Sequence, residues 1–163
     1  MRTIFALFSE VHSAENAAQQ LLEADYSEQE MNAIAQEVTA KQYLDISDHK
    51  MTVFKTDKLG NKEIIGLKAL FIGQRGINIS DVGRVLACGP IAMEMAGTAV
   101  DKPHGGLRLV FKMFDIQDQF ADSFTKGIVD GGVLLFVKTD PDKSGEVIKI
   151  YHENKGEWVL GVP

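Results

Sequence analysis

The chain has 163 residues, 45% hydrophobic and 25% charged, with a formal net charge of −6. That length and composition suit one domain with a buried core and exclude a disordered chain. The negative balance argues against a generic binder of the nucleic-acid backbone, which needs a basic face. The single cysteine, Cys88, excludes an intramolecular disulfide and a thiolate zinc site.

Residues 3–8 form a short aromatic and β-branched run that reads as a strand buried on both faces. Residues 9–13 break it, and Ser13 is placed to cap the helix that follows. In that helix Ala14, Ala17, Ala18, Leu21 and Leu22 make one apolar stripe, with Glu15, Asn16, Gln19, Gln20 and Glu23 on the wet side. The small alanines let it lie close to a sheet. Ser27 and Glu30 have the spacing of a capping box, and a second strand is expected over 31–38. Strand, helix and strand with short joints form a βαβ unit.

Residues 39–80 read as an irregular insertion. Within it 41–50 is polar, 51–55 fits a strand, 56–62 is loop-like, and 64–72 fits a helix or a strand equally. Residues 73–76 read as a turn. Residues 85–93 then alternate as a strand, with Gly89-Pro90 implying a bulge or an edge.

Residues 101–106 are a loop. Leu107, Val110, Phe111 and Phe114 predict a short amphipathic helix, and Phe120, Phe124 and Ile128 a second one. These phenylalanines suit core packing or a subunit interface. Gly131-Gly132 stops the second helix, and 133–137 is a central strand. Asp140-Pro141 opens a further helix, with Val147, Ile148, Ile150 and Tyr151 on its buried side. Residues 158–160 add an edge strand. The expected fold is therefore α+β and ferredoxin-like, one domain over 1–163. Its sheet carries helices on one face, an insertion between its halves and an extra C-terminal helix.

No stretch reaches the ~18 apolar residues of a membrane span. The longest, 82–100, is interrupted by Arg84, Pro90 and Glu94. The N-terminal apolar run is too short for a signal peptide, so a soluble, cytoplasmic protein is expected.

The candidate chemistry is sparse. His12, His49, His104 and His152 share no metal spacing with each other or with Cys88, so no metal or cofactor is expected. Cys88 sits in an apolar pattern with only Arg84 nearby and reads as a structural thiol. Gly60-Asn61-Lys62 and Gly73-Gln74-Arg75-Gly76 match neither a Walker loop nor a dinucleotide fingerprint. Paired aspartates (45 and 48, 115 and 118, 140 and 142) lie where turns and caps want them, so no acid/base pair is singled out. One polar cluster stands apart, Lys102-Pro103-His104-Gly105-Gly106 leading into Leu107-Arg108. Two glycines allow close backbone approach, and a helix N-terminus offers amides to an anion. Lys102, His104 and Arg108 are accordingly the candidate ligand residues, for an anionic metabolite, and the place for an active site if there is one.

Residues 3–8, the alanine-rich first helix and Tyr26-Ser27-Glu28-Gln29-Glu30 resemble bacterial general-stress or heat-induced stress proteins. So do Gly83-Arg84-Val85-Leu86-Ala87-Cys88-Gly89-Pro90-Ile91-Ala92 and the helix, Gly-Gly and strand of 120–137. The resemblance covers about two-thirds of the chain and leaves 38–75 outside. It implies a ferredoxin-like core and an association with stress, and no enzyme activity. The family usually carries a long Gly/Ala-rich apolar hairpin in its middle. Here that region holds Lys62, Glu63, Lys68, Gln74, Arg75 and Asp81, which speaks against a membrane role. The expected function is a non-enzymatic, stress-related homo-oligomer or partner of other proteins; a small-ligand sensor acting at 102–108 is the alternative.

Overall fold

The computed structural model describes residues 1–47, 54–56 and 62–163, with side chains described outside 46–64. Among these residues the strands are β1 (Arg2–Phe8), β2 (Met31–Gln36), β3 (Phe54–Thr56), β4 (Lys62–Ile64), β5 (Ile77–Ile79), β6 (Gly83–Cys88), β7 (Val133–Thr139) and β8 (Glu157–Val162). The helices are α1 (Val11–Glu23), α2 (Glu37–Ser47), α3 (Leu67–Phe71), α4 (Pro90–Val100), α5 (Gly106–Met113), α6 (Asp118–Val129) and α7 (Ser144–Glu153). The protein is α+β. Six strands form one open antiparallel sheet in the order β5-β6-β2-β7-β1-β8, and β3 pairs with β4 separately.

Two βαβ units interleave at the centre of this sheet. Helix α1 joins β1 to β2, with β7 between them; α7 joins β7 to β8, with β1 between them. Strand alternation sends Ile4, Ala6, Phe8, Val133, Leu135 and Val137 to one face, under α1, α2, α3 and α7. Phe5, Leu7, Leu134 and Phe136 point the other way, under α4, α5 and α6. Covered on both sides, these strands read as continuous apolar runs.

The helices thus occupy both faces, which corrects the one-face arrangement expected from the sequence. The insertion is larger than 39–80, because everything from α2 to α6 lies between the two units, and α4 to α6 supply the second layer. The last helix is not an extra element: α7 is the crossover of the second unit, and the chain continues into β8.

The two faces are packed differently. On the α1 face Ala14, Ala17 and Ala18 are fully buried over Ala6, Ala33 and Ala35 of the same cluster, so a helix of small residues sits low on a sheet of small residues. The opposite face is aromatic. Phe5 stacks on Phe136 with ring centroids 4.5 Å apart and on Phe124 at 5.8 Å, and Phe111 meets Phe124 edge-on.

Local signals decide several boundaries. The Ser27–Glu30 capping box forms, with the Ser27 amide donating to Glu30 Oε2 at 2.8 Å. At the end of α6 the amide of Gly132 donates to the Gly127 carbonyl and that of Gly131 to Ile128, a Schellman closure. Helix α1 begins at Val11, two residues before the expected Ser13 cap, and β2 ends at Gln36 where α2 takes over. That helix replaces the irregular chain expected from 41 onward; residues 48–53 and 57–61, with most of the 51–55 strand and the loop after it, lie outside the described residues.

The expected strand over 85–93 splits at Gly89. Strand β6 stops at Cys88 and α4 starts at Pro90, where proline at the first turn is favourable. The reason is a cap from far away. The Oδ1 of Asn32, a buried residue on β2, accepts hydrogen bonds from the amides of Ile91 at 2.8 Å and Ala92 at 3.0 Å. Gly89, at φ +97°, lies so close to β2 that a Cβ would fall 2.3 Å from the Met31 carbonyl oxygen.

Candidate functional site

The loop singled out by sequence is tightly built. Its Gly105 and Gly106 amides both donate to the Lys102 carbonyl, at 3.2 and 2.8 Å, and Ser80 Oγ adds a third bond at 3.3 Å. Gly106 (φ +55°) passes so near Asp81 that a Cβ would lie 2.0 Å from its Oδ1. Only glycine permits that approach.

Asp81 is there for a reason. Its Oδ1 accepts from the Leu107 amide at 2.8 Å and its Oδ2 from the Arg108 amide at 2.9 Å. These amides open α5 and would otherwise be free to meet an outside anion. Here the chain supplies the anion itself. Arg108 directs its guanidinium to Asp122 on α6, and that hydrogen-bonded pair holds its pKa above the ordinary arginine value. Lys102 is half-buried and His104 exposed. Lys102 and His104 lie on one loop and Arg108 in the first turn of α5 that follows it, but the amides of Leu107 and Arg108 are occupied and Arg108 faces a carboxylate.

The other sequence candidates are dispersed. Cys88 is fully buried and its thiol is pushed up to about 12 by burial, so it is a poor nucleophile at neutral pH. His12, His104 and His152 are exposed on separate elements, and His49 lies outside the described residues. Among the described residues no three His, Cys, Asp or Glu side chains gather into a metal-binding group.

Polar groups missed in the sequence stand inside the α1 face. Glu15 is buried rather than on the wet side, and it shares the space between α1, α2 and α3 with Tyr43 and Lys68. Burial and the Glu15 carboxylate raise the Tyr43 phenol above its ordinary pKa. Nearby, Tyr26 Oη lies 2.5 Å from Thr139 Oγ1, and Tyr151 Oη donates to the Ile4 carbonyl at 3.1 Å. Glu15 stands seven residues before Leu22, at the margin of the apolar stripe of α1, and α2 and α3 cover that margin.

A further feature lies at the end of the sheet where β1 stops and β7 and β8 begin. An open cleft of about 280 Å³ is lined by Ser9, Ser123, Lys126, Asp130, Glu157 and Trp158, together with Leu7 and two glycines, Gly127 and Gly132. Register between β1 and β8 shifts here: Phe5 faces Leu160, but Leu7 faces Glu157. Strand β8 therefore holds one extra residue, a β-bulge. Trp158 occupies it at φ +53°, a left-handed conformation that glycine commonly takes in such bulges and that costs another residue about 1–2 kcal/mol. Its indole, 43% exposed, stands edge-on to Phe120 with centroids 5.5 Å apart.

Charge in the cleft is uneven. Lys126 Nζ is 2.7 Å from Asp130 Oδ2, and that bond raises the lysine pKa. Glu157 has no ion-pair partner among the described residues. The C-terminal end of α6 adds its partial negative charge. Nothing in sequence spacing signals this site, because its residues meet only through the bulge and the sheet register.

Among the described residues no helix is long and apolar enough to cross a membrane. No family model, curated protein or solved structure matches the chain.

Proposed function

We propose that this is a non-enzymatic, stress-related cytoplasmic protein that works by pairing with a second copy of itself across the outer face of α4 and α5. One observation carries the reading. Met93, Gly97 and Val100 are exposed at i, i+4 and i+7 along α4, and Leu109 and Met113 are exposed at i and i+4 along α5, which packs beside it. Large apolar side chains grouped on two neighbouring helices mark an interaction surface.

A second copy suits this face as the occupant, because a two-fold axis sets the apolar patch of one chain against the same patch of the other. The basic residues beside it, Arg108 and Lys112, are already bridged within the chain to Asp122 and Asp118. The sheet edges are less suited to pairing. Strand β5 has only three residues, and β8 is broken by its bulge and followed by Pro163.

The interleaved order β8-β1-β7-β2, with α1 and α7 on one face, supports a ferredoxin-like core that β6 and β5 extend at one edge. The link to bacterial stress rests on the resemblance of 3–30, 83–92 and 120–137. Light scattering behind size exclusion tests the pairing. The expected result is a mass that rises with concentration toward twice that of one chain; a single-chain mass at every concentration overturns it.

A further inference from the structure

We propose that the cleft between β1, α6 and β8 binds a small organic cation, one bearing a primary or quaternary ammonium group. Lys126 and Asp130 satisfy each other across 2.7 Å, so the carboxylate of Glu157 is the net charge left among the lining residues. The end of α6 reinforces the negative sign. Trp158 supplies an aromatic wall, the best partner among side chains for an ammonium ion. Leu7 gives an apolar floor, and the Ser9 and Ser123 hydroxyls offer acceptors for N–H donors. A volume of about 280 Å³ suits a molecule the size of choline or putrescine rather than a nucleotide.

The bulge is the independent observation. Glycine is the easy residue at a left-handed bulge position, yet β8 places its bulkiest side chain there and holds it against Phe120. Backbone strain of this kind concentrates where a side chain has to be aimed at a ligand. Counted by alternation from Leu160, Trp158 falls on the Leu7 face, and the extra residue sets Glu157 opposite Leu7 as well, so the bulge brings carboxylate and indole to the same side.

The chain contains one tryptophan, so fluorescence excited beyond the absorption of its three tyrosines reports on this cleft alone. The full chain is titrated with choline chloride and with putrescine, at an ionic strength held constant with sodium chloride, and with sodium acetate as the anionic comparison. A saturable change is expected with at least one cation and none with acetate. Glu157→Gln, which keeps shape and removes charge, should weaken binding by roughly tenfold or more, as expected for a charge-assisted contact. Lys126→Ala should tighten it, because a repelling charge is gone. Calorimetry on Trp158→Ala should show affinity reduced by about 3- to 30-fold, the range of a cation–π contact. Circular dichroism confirms that each variant is folded. The proposal is overturned if neither cation gives a saturable change, if Glu157→Gln binds as well as the parent, or if acetate binds and Lys126→Ala abolishes it.

Discussion

The two helical layers that sandwich the sheet differ most on the sides turned away from it. Outside α1 and α7 the surface is polar, with His12, Glu23, Glu146, Lys149, His152 and Glu153 exposed; among the described side chains the exposed large hydrophobics of this layer are Val38 on α2 and Ile72 at the end of α3. Outside α4, α5 and α6 the exposed residues include Met93, Val100, Leu109, Met113 and Val129. Inward, both layers are equally well buried. The second layer exposes more large apolar side chains than the first, and the proposed pairing rests on that difference.

Substitution on the inner sides should not separate the layers, and substitution on the outer sides should. The largest expected effect is internal. Phe5→Ala removes the ring between Phe124 and Phe136 and should cost about 3–5 kcal/mol in urea unfolding. Next is Asn32→Ala, which strands the Ile91 and Ala92 amides; about 2 kcal/mol is expected, with Asn32→Asp losing less because it keeps an acceptor.

Asp81→Ala should cost about 1 kcal/mol and also free the first amides of α5. Inorganic phosphate should then raise the melting temperature of this variant more than that of the parent. Equal shifts would show that the α5 N-terminus has no use for an anion.

The smallest effect is at Glu37, whose pKa is lowered by hydrogen bonds from Lys41 and then Arg84, against some desolvation. A depressed carboxylate stabilises the fold above its unfolded pKa, and that contribution is lost as pH falls through the folded value. Glu37→Gln should therefore be slightly less stable than the parent at neutral pH and indistinguishable from it in acid, as measured by unfolding at both.

How much of this was legible in the sequence depended on how far each controlling contact reaches. The α1 stripe, the Ser27–Glu30 box and the Gly131-Gly132 stop are local, and they were readable. Helix α4 was not, because the Asn32 cap lies 60 residues from Ala92 and the apolar run 85–93 carries no local break except Gly89-Pro90. The loop at 102–108 looked like a free anion cradle because Asp81 sits 26 residues before Leu107, outside any local motif. Glu15 looked wet for the same reason. The Trp158 cleft had no signal at all, since a bulge is defined by a partner strand.

The proposed pairing depends on the apolar back of α4 and α5. Sedimentation velocity of the parent and of the double variant Met93→Glu with Met113→Glu, over a wide concentration range, addresses it directly. Both positions are more than half exposed, so folding stability should change by no more than about 0.5 kcal/mol. The parent should associate and the variant should sediment as a single chain, with unfolding curves that coincide at concentrations too low for the parent to pair. A parent that never associates, or a variant that associates as the parent does, would contradict the pairing.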